Sequence, residues 1–352
     1  MEKVGITEKT VLVLGAGASM PFGFPSGRKL KKYICEGPEV FGYNSLLTTI
    51  RWEKVGDPFN PIGDVDIATS QLQIRRNREE DANKFRERWR SFNRALARSG
   101  QPSVDAFLEG QPDFVDIGKL AIAGVLLECE ETKRMFEDMI KEEKNNWYES
   151  LFEKLNEGGT LERFGQNKLG IVTFNYDRSL EHYLFTALQN SYGKTDEECA
   201  EAVGKIPIIH VYGSLGALPW QDKDNNTPYG LRENQPIRPE DIVKASKTIT
   251  IIRDDNYLKE FERAWELMND ARSVYFLGFG YDRTNVDRLK LPSLDYKTDK
   301  FGGTCMGLSL ETRHRMKVLQ SNTPQGPYPL ICQPSWKDVD VYDFLHDHII
   351  LG

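Results

Sequence analysis

The sequence predicts an α/β protein: a parallel sheet with helices on both faces and a mainly helical insertion after the first strand. Three observations lead there. Short apolar runs at residues 11–14 (VLVL), 169–174 (LGIVTF), 206–211 (IPIIHV) and 273–277 (SVYFL) read as buried strands. Stretches with apolar residues at three- and four-residue steps separate them, which is the alternation of a parallel sheet covered by helices. Each run also ends in a polar or glycine-rich turn: GAGAS at 15–19, TFNYD at 173–177, HVYGS at 210–214 and GFG at 278–280.

Gly15 and Gly17, two apart, let the backbone turn tightly after the first strand and approach a ligand. A helix starting beyond such a turn offers free N–H groups to a pyrophosphate. The hydride-transfer fingerprint GxGxxG fails at Met20, and no second strand ending in an acid follows; Glu36 has the offset, but KKYIC before it is a poor strand. From Arg28 the chain reads as helix, and 40–70, with Pro58, Asn60 and Pro61, as loop. Residues 75–98 carry nine Lys or Arg against four acids, a local net of +5, with Phe85, Trp89, Phe92 and Leu96 on one helical stripe. This face suits either an acidic partner or plain solvation. Ser103 is placed to cap a helix, and 114–156 continue in helical periodicity, so 29–165 form the insertion. The later grammar adds a helix from Ser179, a polar loop at 217–240, a strand at 248–252, a helix at 257–271, a strand at 303–308 and a basic helix at 311–320. The domains expected are 1–28 with 166–352, and 29–165.

Composition narrows the class. The 352 residues carry a formal net charge of −7, so the whole surface is no nucleic-acid magnet. Nucleic acid would be reached only through a partner or the basic helix 75–98. The five cysteines form no CxxC pair and no disulfide framework, as expected of reduced thiols in a cytoplasmic protein. The start MEKVGITEKT lacks a signal peptide's apolar segment, and no apolar run approaches a membrane span.

In a parallel sheet the four turns would meet at one edge, where ligands bind. Taken in order they resemble the sirtuin superfamily, in particular the sirtuin-like effectors of bacterial antiphage defence. The opening pattern GAGxSxxxGIPxFR stands here as Gly15-Ala16-Gly17-Ala18-Ser19, Gly23-Phe24-Pro25 and Arg28; TQNID is matched by Thr173-Phe174-Asn175-Tyr176-Asp177; the HG step falls at Tyr212-Gly213; and Gly278-Phe279-Gly280 with Asn285 resembles the late strand closing over the cofactor. The likeness spans about 10–28 and 168–310. Three departures stand out. The paired CxxC zinc module is missing, so neither a structural zinc nor a classical deacylase is implied. Gly27 replaces an aromatic that shields the ribose. Tyr212 replaces the histidine before the glycine, leaving His210, two residues back on the same strand face, as the nearest imidazole.

The resemblance implies a Rossmann-like NAD-binding fold that cleaves the nicotinamide–ribose bond of NAD, with NAD as substrate and no metal. The implied catalytic set is Asn175, His210, Asp177 and Tyr212. Asn175 would hold ribose hydroxyls or water, His210 would serve as base, and Asp177 would orient Asn175 or pair with Arg28. The implied NAD contacts are Gly15, Ala16, Gly17, Ser19, Pro25, Arg28, Thr173, Gly213, Gly278, Gly280 and Asn285, with the N–H groups of 15–19 taking phosphates. By residue type alone, Asn175 equally fits a turn, His210 a core histidine and Asp177 a helix cap. The resemblance further implies NAD depletion in abortive infection, in a homo-oligomer or beside a sensor or ATPase partner. A catalytically silent NAD or ADP-ribose sensor, and less so a deacylase, are the alternatives.

Overall fold

The computed structural model describes residues 5–36, 71–230, 237–251, 257–290, 300–313, 335–349 and 351. Six parallel strands form one sheet: β1 (Thr10–Leu14), β2 (Leu169–Thr173), β3 (Ile208–His210), β4 (Ser273–Leu277), β5 (Lys300–Thr304) and β6 (Ser335–Lys337), in spatial order β3-β2-β1-β4-β5-β6. Register is continuous across the centre, Leu14 lying beside both Thr173 and Leu277. All residues of β1, β2 and β4 are buried, so both faces of the central strands are covered, as their unbroken apolar runs require. This Rossmann-like order reverses direction between β1 and β4, and such a switch point opens a crevice at the carboxyl ends of the strands.

The helices of this description are α1 (Gly27–Glu36), α2 (Gln71–Arg98), α3 (Val104–Gly110), α4 (Val115–Cys129) and α5 (Trp147–Leu155) before β2, then α6 (Ser179–Tyr192), α7 (Asp196–Gly204), α8 (Pro239–Ser246), α9 (Tyr257–Asn269) and α10 (Arg283–Arg288). The expected stripe holds: Phe85, Trp89, Phe92 and Leu96 of α2 are buried. Ser103 caps α3, its hydroxyl accepting from the Ala106 N–H at 3.2 Å. The insertion shares one hydrophobic core with the sheet. On α5, the Trp147 indole N–H donates to the Ala18 carbonyl (2.8 Å), and Tyr148 stacks on Phe22 with centroids 3.9 Å apart. The helices between β1 and β2 thus grip the glycine turn itself.

Several boundaries differ from the sequence expectation. Residues 248–251 form no strand: Ile249 makes an isolated antiparallel bridge to Gly213, and the Thr250 N–H donates to the Tyr212 carbonyl at 2.8 Å. Apolar alternation there serves a single extended segment with buried Ile249 and Ile251. β5 lies upstream of 303–308, because the chain turns at Cys305–Leu308 with Gly307 at φ +71°. β3 is shorter than 206–211. α7 and α8 fall in stretches read as loop or left unassigned. The expected loop 40–70 and most of the helix 311–320 lie outside the described residues, as do His314 and Cys332. Among the described residues no helix is long and apolar enough to cross a membrane.

Candidate active site

The crevice at the switch point is a cavity of about 570 Å³, well inside the range of small-molecule sites. Its strand-end side is formed by Gly15, Ala16, Ser19 and the run from Phe174 to Asp177. Its helical side is formed by Gln101 to Glu109 around α3, by Leu126 and by Asp282 to Arg288 around α10, and Tyr212, Phe279 and Phe24 fill between them. The insertion therefore builds about a third of the described lining.

On the strand-end side, the Asn175 backbone N–H donates to Thr173 Oγ1 (3.1 Å), which ties the residue to the end of β2. Its side-chain NH₂ donates to the Gly15 carbonyl and to Ser19 Oγ, both at 3.0 Å. A carbonyl can only accept, so this contact fixes the amide orientation and leaves Oδ1 as the atom Asn175 can offer a ligand. Beside it, Asp177 accepts from the Ser179 N–H (3.3 Å) and hydroxyl, and Ser179 Oγ lies 2.6 Å from the Tyr148 hydroxyl. Asp177 thus accepts from the first N–H of α6, one residue outside the N-cap position held by Arg178, and lines the cavity at once. Burial pushes its carboxyl above the usual range, against the pull of the Ser179 and Ser19 hydroxyls.

The next residue, Arg178, was not singled out by the sequence. It is wholly buried and forks onto Glu130, itself fully buried, with three N–H···O contacts of 2.8 to 3.0 Å. Its other nitrogen donates to the Thr227 and Gly216 carbonyls at 2.5 and 3.2 Å. The charge is paid for by a bidentate partner and a ring of carbonyls, and it fixes the backbone of Asp177 from behind.

His210 is placed differently from the expectation. It does not line the cavity. Its Nδ1–H donates to the Asn175 carbonyl (2.8 Å), and its Nε2 lies 2.6 Å from Glu181 Oε1. Burial opposes its charge, but the Glu181 carboxylate and the Asn175 carbonyl prevail and hold its pKa above the ordinary value. With both nitrogens engaged, the imidazole is unavailable as a base toward the cavity, and the expected base His210 is instead a strut beneath Asn175.

The expectation for the glycine turn changes too. The Gly15, Gly17 and Ala18 N–H groups donate to the carbonyls of Leu277, Gly278 and Gly15 at 3.0, 2.9 and 2.9 Å. Those three are unavailable to phosphates, which narrows the cradle expected at 15–19 to Ala16 and Ser19, the two of its remaining residues that line the cavity. Gly17 and Gly278 are instead demanded by packing: a Cβ at Gly278 would sit 2.2 Å from the Ala18 nitrogen, and Gly278 has φ +57°. Gly213, at φ +71°, is pressed against the Thr248 carbonyl for the same reason. Gly17, Thr173, Gly213, Gly278 and Gly280 do not line the cavity. Arg28 is exposed on α1, outside the lining, so its pairing with Asp177 is not formed. Gly15, Ala16, Ser19, Pro25, Asn175, Asp177, Tyr212 and Asn285 do come together there. Gly27 also lines it, and a Cβ added there would meet only Ser103 Cβ, at 3.7 Å.

The helical side supplies residues the sequence did not suggest. The Tyr212 hydroxyl donates to Asn285 Oδ1 (2.7 Å) and accepts from Arg288 Nη1 (2.5 Å), while Arg288 Nη2 donates to Glu109 Oε1 at 3.1 Å. Asp105 accepts from the Tyr176 hydroxyl, and burial raises its carboxyl above the usual range. Among the described residues no cluster of His, Cys, Asp and Glu is arranged to hold a metal ion. Fold and cavity together define the class: a Rossmann-like α/β protein with a polar crevice at its switch point. A scan against protein-family models found no match, and a search of curated proteins found none.

Proposed function

We propose that the chain is a sirtuin-like NAD glycohydrolase, releasing nicotinamide and ADP-ribose. The observation that carries the reading is the convergence of Ser19, Asn175 and Asp177 in one cavity at the ends of β1 and β2. The C–N bond to nicotinamide breaks with its electron pair going to the pyridinium nitrogen, so the leaving group needs no acid. Positive charge then develops on the ribose, as at other glycosidic centres. The Asp177 carboxylate faces that charge, and Asn175 Oδ1 accepts from a ribose hydroxyl or from the attacking water. Water adds its oxygen to the anomeric carbon, and Asp177, its pKa raised by burial, takes the proton. Gly27, which lines the cavity without a side chain, gives water a way in. His210 holds the Asn175 peptide rather than moving protons.

We place this activity in a cytoplasmic antiphage response in which NAD is depleted once a sensor or ATPase partner, or a change in a homo-oligomer, switches the enzyme on. The motif resemblance supports that setting. The exposed Arg86, Arg90, Arg94 and Arg98 on α2 give the insertion a basic surface for such a contact. A second reading, a silent NAD or ADP-ribose sensor, is favoured by one observation: among the described residues the cavity lining contains no imidazole.

The test is incubation of the full chain with NAD, alone and with an acylated peptide, followed by chromatography. Nicotinamide and ADP-ribose without peptide are the expected products. Product only with peptide would establish deacylation instead, and NAD binding without turnover in any assembly state would establish the sensor.

A further inference from the structure

A dinucleotide brings two phosphates into this cavity, and three of the five turn donors expected for them are already spent. The N–H groups of Gly15, Gly17 and Ala18 point into protein carbonyls. Among the described residues, the charged side chains lining the cavity are Asp105, Glu109, Asp177 and Asp282, all acidic, and Arg288. A diphosphate placed beside the carboxylates would be repelled, so its position is dictated by Arg288, the one cation of that described lining.

Arg288 is built for that task. Two of its five N–H groups are committed, one to the Tyr212 hydroxyl and one to Glu109. Its side chain is 13% exposed, whereas that of Glu109 is 32% exposed, so the carboxylate is the partner an incoming anion can displace. The Tyr212 hydroxyl stays in place because it also donates to Asn285, and the guanidinium lies over the Tyr212 ring, 5.9 Å from its centroid.

The geometry points to Arg288, held by Tyr212 and released from Glu109, as the anchor for the diphosphate of the nucleotide in this cavity. This rests on the NAD glycohydrolase reading and deepens it. It also gives Tyr212, the residue standing in the family's histidine position, a purpose: it positions a phosphate ligand rather than a proton.

The test measures binding of ADP-ribose and of inorganic pyrophosphate by calorimetry to wild type, Arg288→Met and Arg288→Lys, with thermal melts to check folding. Arg288→Met is expected to bind ADP-ribose about 30-fold more weakly, from loss of charge-assisted hydrogen bonds. Arg288→Lys, which keeps the charge but not the planar fork, is expected to lose about 5-fold, and it carries the test should Arg288→Met not fold. Tyr212→Phe should weaken ADP-ribose binding in the same direction as Arg288→Lys. Equal ADP-ribose affinity in wild type and both Arg288 variants would overturn the anchor while leaving the hydrolase reading standing. Arg288-dependent binding of pyrophosphate without ADP-ribose binding would sink the hydrolase reading and keep the anchor. Binding of neither ligand by wild type would overturn both.

Discussion

The strand-end side of the cavity and its helical side hold their polar groups in different ways. Around Asn175, Ser19, Asp177, Ser179 and Arg178 are all buried, and Asp177, Ser179 and Arg178 are each held by two or more short contacts. Around Arg288, the partners are a tyrosine hydroxyl and a half-exposed glutamate that solvent or a ligand can replace. A preorganised set of dipoles costs no reorganisation when charge develops, which suits chemistry. An exchangeable ion pair suits capture of an anion. On the proposed reading the two sides divide the work, bond cleavage on one and grip on the other, and variants on each should fail in different ways.

The largest effect is expected on the strand-end side. Glu130→Ala leaves the Arg178 guanidinium buried with only carbonyls for company, which should cost about 3–5 kcal/mol of stability by chemical denaturation. A cost below about 1 kcal/mol would mean that the clamp behind Asp177 is not rigid. His210 offers a sharper cut, because its contribution depends on pH. Its folded pKa is raised above the ordinary 6.5, so the stability it supplies is fully present below pH 6.5 and is lost as pH rises through the folded value. The stability difference between wild type and His210→Gln should shrink over that window in denaturation curves. A difference that grows with pH would contradict a charged strut under Asn175. The smallest effect belongs to the helical side. Ser103→Ala removes the α3 cap and should cost about 1 kcal/mol. It should leave kcat for NAD unchanged, since α3 carries Asp105 and Glu109 rather than the reacting groups; a fall in kcat larger than in kcat/KM would break the division.

The same contrast governs what was legible in the sequence. β1, β2 and β4 announce themselves because central parallel strands are apolar on both faces, and the polar turns at their ends therefore stand out against them. The run 173–177 stands out for that reason, and the resemblance to the sirtuin pattern then singles out Asn175 and Asp177 within it. Arg288 could not: its partners Tyr212 and Glu109 lie 76 and 179 positions away, and a six-residue helix has no periodicity to read. Arg178 was hidden because burial of an arginine is decided by a distant partner, Glu130. Two missed elements did carry signals. Thr195 and Glu198 form a capping box at the start of α7, and Pro239 stands at the first position of α8. The residues at 248–252 misled by composition, since β-branched alternation also serves an extended segment lying against Gly213. His210 misled by chemistry: its type and strand-end position fit a base, but only the structure brings Glu181 and the Asn175 carbonyl to its two nitrogens.

On the proposed reading Asn175 acts in bond cleavage, its Oδ1 steadying a ribose hydroxyl or the attacking water, while most of the grip on the nucleotide lies elsewhere. The direct measurement is the rate of nicotinamide release across NAD concentration for wild type and Asn175→Ala, with ADP-ribose affinity measured on the same preparations. The account expects kcat to fall by roughly 10²–10³, the loss typical of removing one preorganised polar group from a site of developing charge, with ADP-ribose affinity held within about 3-fold. Unchanged kcat with weakened binding, or no nicotinamide released by wild type while NAD binds tightly, would contradict it.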